Sequence, residues 1–126
     1  IQISLDGAKS YTHDKLRNKK GAFLQAITAL KILNEIKIQH SIAFTPTAFN
    51  INDLLDVYEI AIKFNVSELR LQPLMLMGRA SNNLIEIMPS QVQYRKLVKN
   101  IYDINNKNNF KVMWGDPIQH LFEFLG

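Results

Sequence analysis

No cysteine occurs among the 126 residues. That excludes a disulfide framework, a thiolate nucleophile, and any zinc or iron–sulfur site ligated by this chain's own thiolates. No apolar run approaches the ~20 residues that span a bilayer, and no basic-plus-apolar leader opens the sequence, so a cytoplasmic protein without membrane contact is expected. There is no GxGxxG and no P-loop lysine motif, so a self-contained phosphate cradle is not indicated. The histidines, His13, His40 and His120, lie on separate segments without metal-ligand spacing. Ser4 has no evident base nearby, which argues against a nucleophilic triad. Charge of one sign does not dominate either. The net charge is 15 − 11 = +4, with eight basic residues and six acids in residues 1–63 and seven and five in 64–126. Without a basic tail or a long like-charge block, nucleic-acid binding is not expected. The one local cluster, Lys15, Arg17, Lys19 and Lys20, reads as a solvated loop before a helix.

What is present is a globular composition, with 47% apolar and 21% charged residues. A chain of this length can bury a core without staples. Apolar Ile1, Ile3 and Leu5 alternate with polar residues up to Asp6-Gly7, the pattern of a strand ending in a turn. A chain that begins inside a strand is expected to be a fragment; the alternative is a processed terminus. Helical periodicity then runs from about Gly21 to Ile36, with Phe23, Ile27, Leu30 and Leu33 on one face. A second strand is expected over Gln39 to Thr45, stopped by Pro46. Asn50 or Asn52 can cap the next helix, which carries Leu54, Leu55, Tyr58, Ala61 and Ile62. The third strand is Glu68 to Gln72, before Pro73. Ser90 and Gln93 form a capping-box pattern for a helix that turns Tyr94, Leu97, Val98, Ile101 and Ile104 inward. A fourth strand is expected over Phe110 to Met113, and a last short helix over Ile118 to Leu125 after Asp116-Pro117.

The order β-α-β-α-β-α-β-α predicts an α/β fold with a parallel sheet and right-handed crossovers. A flavodoxin-like open sheet and a section of a β/α barrel both fit. In either, function belongs at the carboxyl ends of the strands. Ser4 and Asp6 share one strand face and together could bind a ribose or an amino group, unless Asp6 serves only the turn. Arg70 and Gln72 share a face opposite Leu69 and Leu71, and an Arg inside a sheet needs a partner or water. The stretch Leu71 to Ala80 is apolar at first and then basic, as in a contact site or a segment packed under a neighbour.

These segments resemble a known family. Ile1 to Gly7, then His13-Asp14-Lys15-Leu16-Arg17, then Gly21-Ala22-Phe23 opening a helix, are similar to the fourth strand and following helix of radical S-adenosylmethionine (radical SAM) enzymes. The branch they resemble carries a C-terminal SPASM or related iron–sulfur domain and often modifies peptides or builds cofactors. Thr45-Pro46-Thr47 with Asn50 resembles the end of the fifth strand and the cap beyond it. Leu69 to Leu74, running into Gly78-Arg79-Ala80, resembles the sixth strand and its outgoing loop.

The resemblance implies a parallel half of a partial (β/α)6 TIM-like barrel, with residues 1–126 as its C-terminal half. It also implies a parent enzyme that cleaves S-adenosylmethionine reductively at a [4Fe–4S] cluster to a 5′-deoxyadenosyl radical. The family's CxxxCxxC motif lies after the first strand and is absent here, so the missing N-terminal half becomes an implied partner. The parent would act on a peptide or small-molecule substrate, and the fragment alone would be inactive. By the same resemblance Ser4 contacts the ribose or methionine part of the cofactor, and Asp6 binds cofactor or organises the turn. Arg17 faces the cofactor carboxylate or the substrate, and Gln72 and Leu74 touch the adenine region. Thr45 is a further candidate from the fifth strand. No metal ligand and no catalytic residue is expected in this chain.

A self-contained, non-catalytic α/β binding module is the alternative. A half-barrel would expose sheet edges and an apolar inner face, so self-association of the fragment is expected.

Overall fold

The computed structural model describes residues 1–72 and 87–114. Its strands are β1 (Gln2–Ser4), β2 (Ser41–Phe44), β3 (Glu68–Leu71) and β4 (Val112–Trp114). Its helices are α1 (Ser10–Arg17), α2 (Ala22–Glu35), α3 (Leu54–Lys63) and α4 (Gln91–Lys107), with a 3-10 turn over Ile51–Asp53. The predicted last helix, Ile118 to Leu125, and the loop from Pro73 to Ala80 lie outside the described residues.

The strands are all parallel and stand in sequential order, β1-β2-β3-β4. This order separates the two topologies that the alternation of elements left open, and it is the one that the resemblance implies. A flavodoxin-like sheet reverses direction at a switch point and carries helices on both faces. A monotone order with right-handed crossovers keeps every helix on one side, as in a barrel. The burial agrees. Leu5, Ile42, Phe44, Leu69, Leu71 and Val112 are buried and join residues of α2, α3 and α4 in one core. The opposite face carries Gln2, Ser4, Ser41, Ala43, Glu68, Arg70 and Met113. It is largely polar, so the apolar inner face expected of a half-barrel is not what these residues present. The pleat puts alternate residues on opposite faces, and the polar ones fall together on this side.

The helix faces follow their spacing. In α3 the buried stripe is Leu54, Val57, Tyr58 and Ala61, an i, i+3, i+4, i+7 set. Leu55 and Ile62, which the helix also carries, are exposed, because each sits one step, about 100°, off that stripe. In α4 Tyr94, Leu97, Ile101 and Ile104 are buried as expected, and the Ser90–Gln93 capping box forms with both reciprocal bonds.

The segment before α2 is not a plain loop. Residues 10–17 form α1, whose basic Lys15 and Arg17 sit in its last turn, and it ends at Asn18 in the left-handed conformation (φ 51°). The Asp14 carboxylate accepts from the Gly21 and Phe23 amides, at 2.9 and 2.7 Å, and so ties α1 to the start of α2. Strand β2 is shorter than predicted at both ends. Strand β4 begins at Val112 rather than Phe110, because the Phe110 carbonyl accepts from the Tyr58 hydroxyl and Asn105 clamps Val112 through both its amide and its carbonyl.

Candidate functional site

The carboxyl ends of β1 and β2 are joined by a hydrogen-bond network centred on Asp6, which is 5% exposed. Its Oδ1 accepts from the Thr45 amide at 3.0 Å, and its Oδ2 pairs with Arg17 Nη2 at 2.7 Å. Its backbone amide donates to His13 Nδ1 at 2.9 Å. Its carbonyl accepts from Asn50 Nδ2 at 2.8 Å, and the same nitrogen donates to the Thr45 carbonyl at 2.8 Å. Asn50 is fully buried, and its Oδ1 accepts from both the amide and the hydroxyl of Thr47. Asn50 or Asn52 was expected as a helix cap. Asn50 does stand at the cap position of the 3-10 turn that leads into α3, but its side chain makes no capping bond and bridges two strand ends; the residue directly before α3 is Asp53, whose carboxylate accepts from the Ala8 amide at 3.1 Å.

His13 is neutral in this network. Its Nδ1 must offer a lone pair to the Asp6 amide, which places its proton on Nε2. Burial lowers its pKa below the usual histidine value, and Arg17 adds to that, while Asp6 and Asp14 oppose it. The Asp14 carboxyl is held below its ordinary value chiefly by the Phe23 amide and then by Gly21. Gly7 follows Asp6 beneath α1. A Cβ there would lie 2.8 Å from Thr12 Cβ and 2.9 Å from the His13 nitrogen, so the close approach of strand end and helix requires glycine.

Side chains on the open face fall into rows. Ser4, Ala43, Arg70 and Met113 are cross-strand neighbours. Beyond the paired residues, Asp6 leaves β1 with its carboxylate on the Thr45 amide, and Gln72 follows β3 with its amide on the Phe44 carbonyl. Arg70 finds its partner within its own strand, Glu68, at 2.6 Å. A cavity of about 200 Å³ above these ends is lined by Asp6, Leu16, Arg17, Thr45, Thr47 and Ile87. No group of His, Asp or Glu residues able to hold a metal occurs among the described residues, and no helix there is long and apolar enough to cross a membrane.

This architecture has counterparts. The chain superposes on Streptococcus suis SuiB, solved bound to S-adenosylmethionine, with a TM-score of 0.67 and 13% identity, covering 90% of this chain and 26% of that one. In sequence it is 30% identical over 122 residues to a mycofactocin maturase of Mycolicibacterium smegmatis, covering 96% of this chain and 30% of the relative. It is 33% identical over 81 residues to the sporulation killing factor maturation protein of Bacillus subtilis, covering 64% of this chain and 20% of the relative. The chain belongs to the radical SAM family. No protein-family model matches the sequence. The chain spans 20% to 30% of the length of these two curated relatives.

Within this radical SAM fold, the residues expected from the resemblance do not all meet. Asp6, Arg17 and Thr45 line one cavity. Ser4 lies one row below them on the open face, and Gln72 ends the adjoining strand with its side chain exposed and its amide bonded to the Phe44 carbonyl at 2.9 Å. Leu74 lies outside the described residues. Ser4 and Asp6 were expected to share a face, yet Ser4 is exposed while Asp6 is buried and turned toward Arg17. The ladder runs on to the Leu5 amide, which donates to the Ala43 carbonyl, and is then broken because the Thr45 amide donates to the Asp6 carboxylate, so alternation ceases to govern Asp6.

Two residues of the network, His13 and Asn50, had no functional reading in the sequence. His13 had no spacing partner, because its contact is a backbone amide seven residues away. Asn50 sat where a cap is ordinary.

Proposed function

We propose that residues 1–126 are the later β/α units of a partial (β/α)6 radical SAM barrel and that the open sheet face receives S-adenosylmethionine. The chain has no thiolate to hold a [4Fe–4S] cluster, so in this reading the cluster is held by the N-terminal half of the parent. The observation that carries the proposal is the polar face, opposite the helix-packed core, of a sequentially ordered parallel sheet, with Asp6, Thr45 and Gln72 at its carboxyl ends. A purely parallel sheet is ordinarily buried on both faces. A polar face suits a cofactor with a charged amino-acid end, a ribose and a purine.

Reductive cleavage of S-adenosylmethionine at the cluster supplies a 5′-deoxyadenosyl radical in this family. This chain's residues bind and orient. Ser4 offers a hydroxyl to the ribose or methionine part. Gln72, and Leu74 beyond it, serve the adenine side, with Thr45 between. Asp6 is a positioning residue, because both of its oxygens already have partners. It holds one nitrogen of the Arg17 guanidinium, and the remaining donors are available to a carboxylate of cofactor or substrate. The relatives' names support peptide modification or cofactor maturation as the parent's task. The isolated chain is expected to associate with the N-terminal half of the barrel, or with itself through edge strands.

The test is anaerobic iron–sulfur reconstitution of the parent protein and assay for 5′-deoxyadenosine. Formation of that product by the parent and none by residues 1–126 alone is the expected result. A parent that reconstitutes a cluster and forms none overturns the reading. Arg17→Gln in the parent is expected to weaken S-adenosylmethionine or substrate binding by about tenfold.

A further inference from the structure

A second feature lies beside the Asp6 cavity. Tyr11 on α1 and Phe49 after β2 are 76% and 60% exposed. The Lys15 ammonium sits 5.7 Å from the centroid of each ring. Together with Thr12, Leu16 and Ile87 these residues line a cavity of about 380 Å³. Leu16 and Ile87 are shared with the Asp6 cavity, so the two are contiguous. The segments that carry Tyr11 and Phe49 leave the carboxyl ends of β1 and β2, the side of the sheet where the proposed chemistry takes place.

The charge around it is one-sided. Residues 9–20 hold Lys9, Lys15, Arg17, Lys19 and Lys20 against Asp14, so 5 − 1 = +4, equal to the net charge of the whole chain. Lys15, Lys19 and Lys20 also border the adjoining surface depression with Tyr11 and Asp14. Of these groups, Arg17 is paired with Asp6, and Asp14 is bonded to two backbone amides.

We propose that this groove docks an acidic peptide segment, with an Asp or Glu carboxylate on Lys15 and an adjacent apolar side chain against Leu16 and Ile87. The proposal rests on the peptide-modifying reading of the parent and names the kind of sequence it would hold. The ammonium already lies over both aromatic rings, so these are not free platforms for stacking bases, as a single-stranded nucleic acid would need. A carboxylate reaches the ammonium from outside without displacing it, and the apolar floor takes a side chain. An exposed aromatic pair around a single cation is the composition of an interface anchor.

The experiment measures fluorescence anisotropy of a labelled peptide of alternating Glu and Phe with the full chain. The counterpart with Lys in place of Glu serves as control. Saturable binding of the acidic peptide alone is expected. Lys15→Gln and Phe49→Ala, both at the solvent-facing groove, should each weaken it about five- to tenfold. Lys99→Gln on α4 should leave it unchanged. Binding unaffected by the groove variants, equal weakening by Lys99→Gln, or equal competition by a single-stranded oligonucleotide overturns the proposal. Circular dichroism of each variant shows whether it is folded. The parent's 5′-deoxyadenosine formation is scored separately. If it persists while groove binding fails, only the groove proposal falls. If it is absent while groove binding holds, the enzyme reading falls.

Discussion

Arg17 Nη2 lies 2.7 Å from Asp6 Oδ2, joining the last turn of α1 to the residue that leaves β1. The carboxylate is buried and the guanidinium is 40% exposed. The pair is therefore asymmetric: the acid depends on the partner more than the base does. Loss of Asp6 also strips the Thr45 amide of its acceptor.

Asp6→Ala should destabilise the chain by about 2–3 kcal/mol, as expected for removing a buried acceptor shared by the Thr45 amide and the Arg17 guanidinium. Arg17→Gln should cost less, about 1 kcal/mol, because the group it replaces is substantially solvated. Urea unfolding of both variants checks the order. Equal losses would show that the pair matters and the Thr45 bond does not.

Asn50→Asp should be as damaging as Asn50→Ala, about 2–4 kcal/mol each. The carboxylate keeps the acceptor facing Thr47 but turns the donor shared by the Asp6 and Thr45 carbonyls into a repelling oxygen. Thermal melts of the two variants decide this. A mild effect of Asn50→Asp would mean that the donor side contributes little.

Gly7→Ala should cost about 1–3 kcal/mol through overpacking, since the added methyl meets Thr12 and the His13 backbone inside 3.0 Å. A shift of α1 away from the strand would relieve it. Weakened hydrogen-exchange protection confined to α1 is the accompanying signature.

Two groups make stability fall on acidification, in separate windows. His13 has a folded pKa below its ordinary 6.5, so the unfolded chain binds the proton first. Stability is full above that value and declines as pH falls from it toward the folded pKa. Asp14 is held below 3.8, so its contribution is present above that value and is lost as pH falls through its folded pKa. His13→Asn keeps an acceptor for the Asp6 amide without titrating. The upper decline in a series of melts between about pH 7.5 and 5.5 should vanish in that variant. A wild-type stability flat across this window would show that His13 does not titrate differently in the two states.

Much of the fold was legible because apolar spacing is local information. Leu30 and Leu33 on α2, and Tyr94, Leu97, Ile101 and Ile104 on α4, declared their buried faces by period alone. The Ser90–Gln93 cap is likewise a relation between residues three apart. Helix α1 was missed because the signals of residues 10–17 are weak and polar. Its Asp14 is satisfied by amides in the next helix, and its His13 by an amide in the preceding strand end. The exposure of Leu55 and Ile62 turned on which side of α3 meets the sheet, and a wide apolar stripe leaves that choice open.

From the sequence alone came the absence of thiolates, the alternation of strand and helix, and the resemblance to radical SAM enzymes, since each depends on residue identity and order along the chain. The resemblance implied a barrel's sequential strand order, but the alternation by itself did not, because parallel β/α units can be laid down monotonically or about a switch point with the same local patterns. Sheet assembly decided that order. It also gathered Asp6, Arg17, His13 and Asn50 into one network and set Lys15 between Tyr11 and Phe49. Their partners are separated along the chain and meet only when two strand ends and a helix dock.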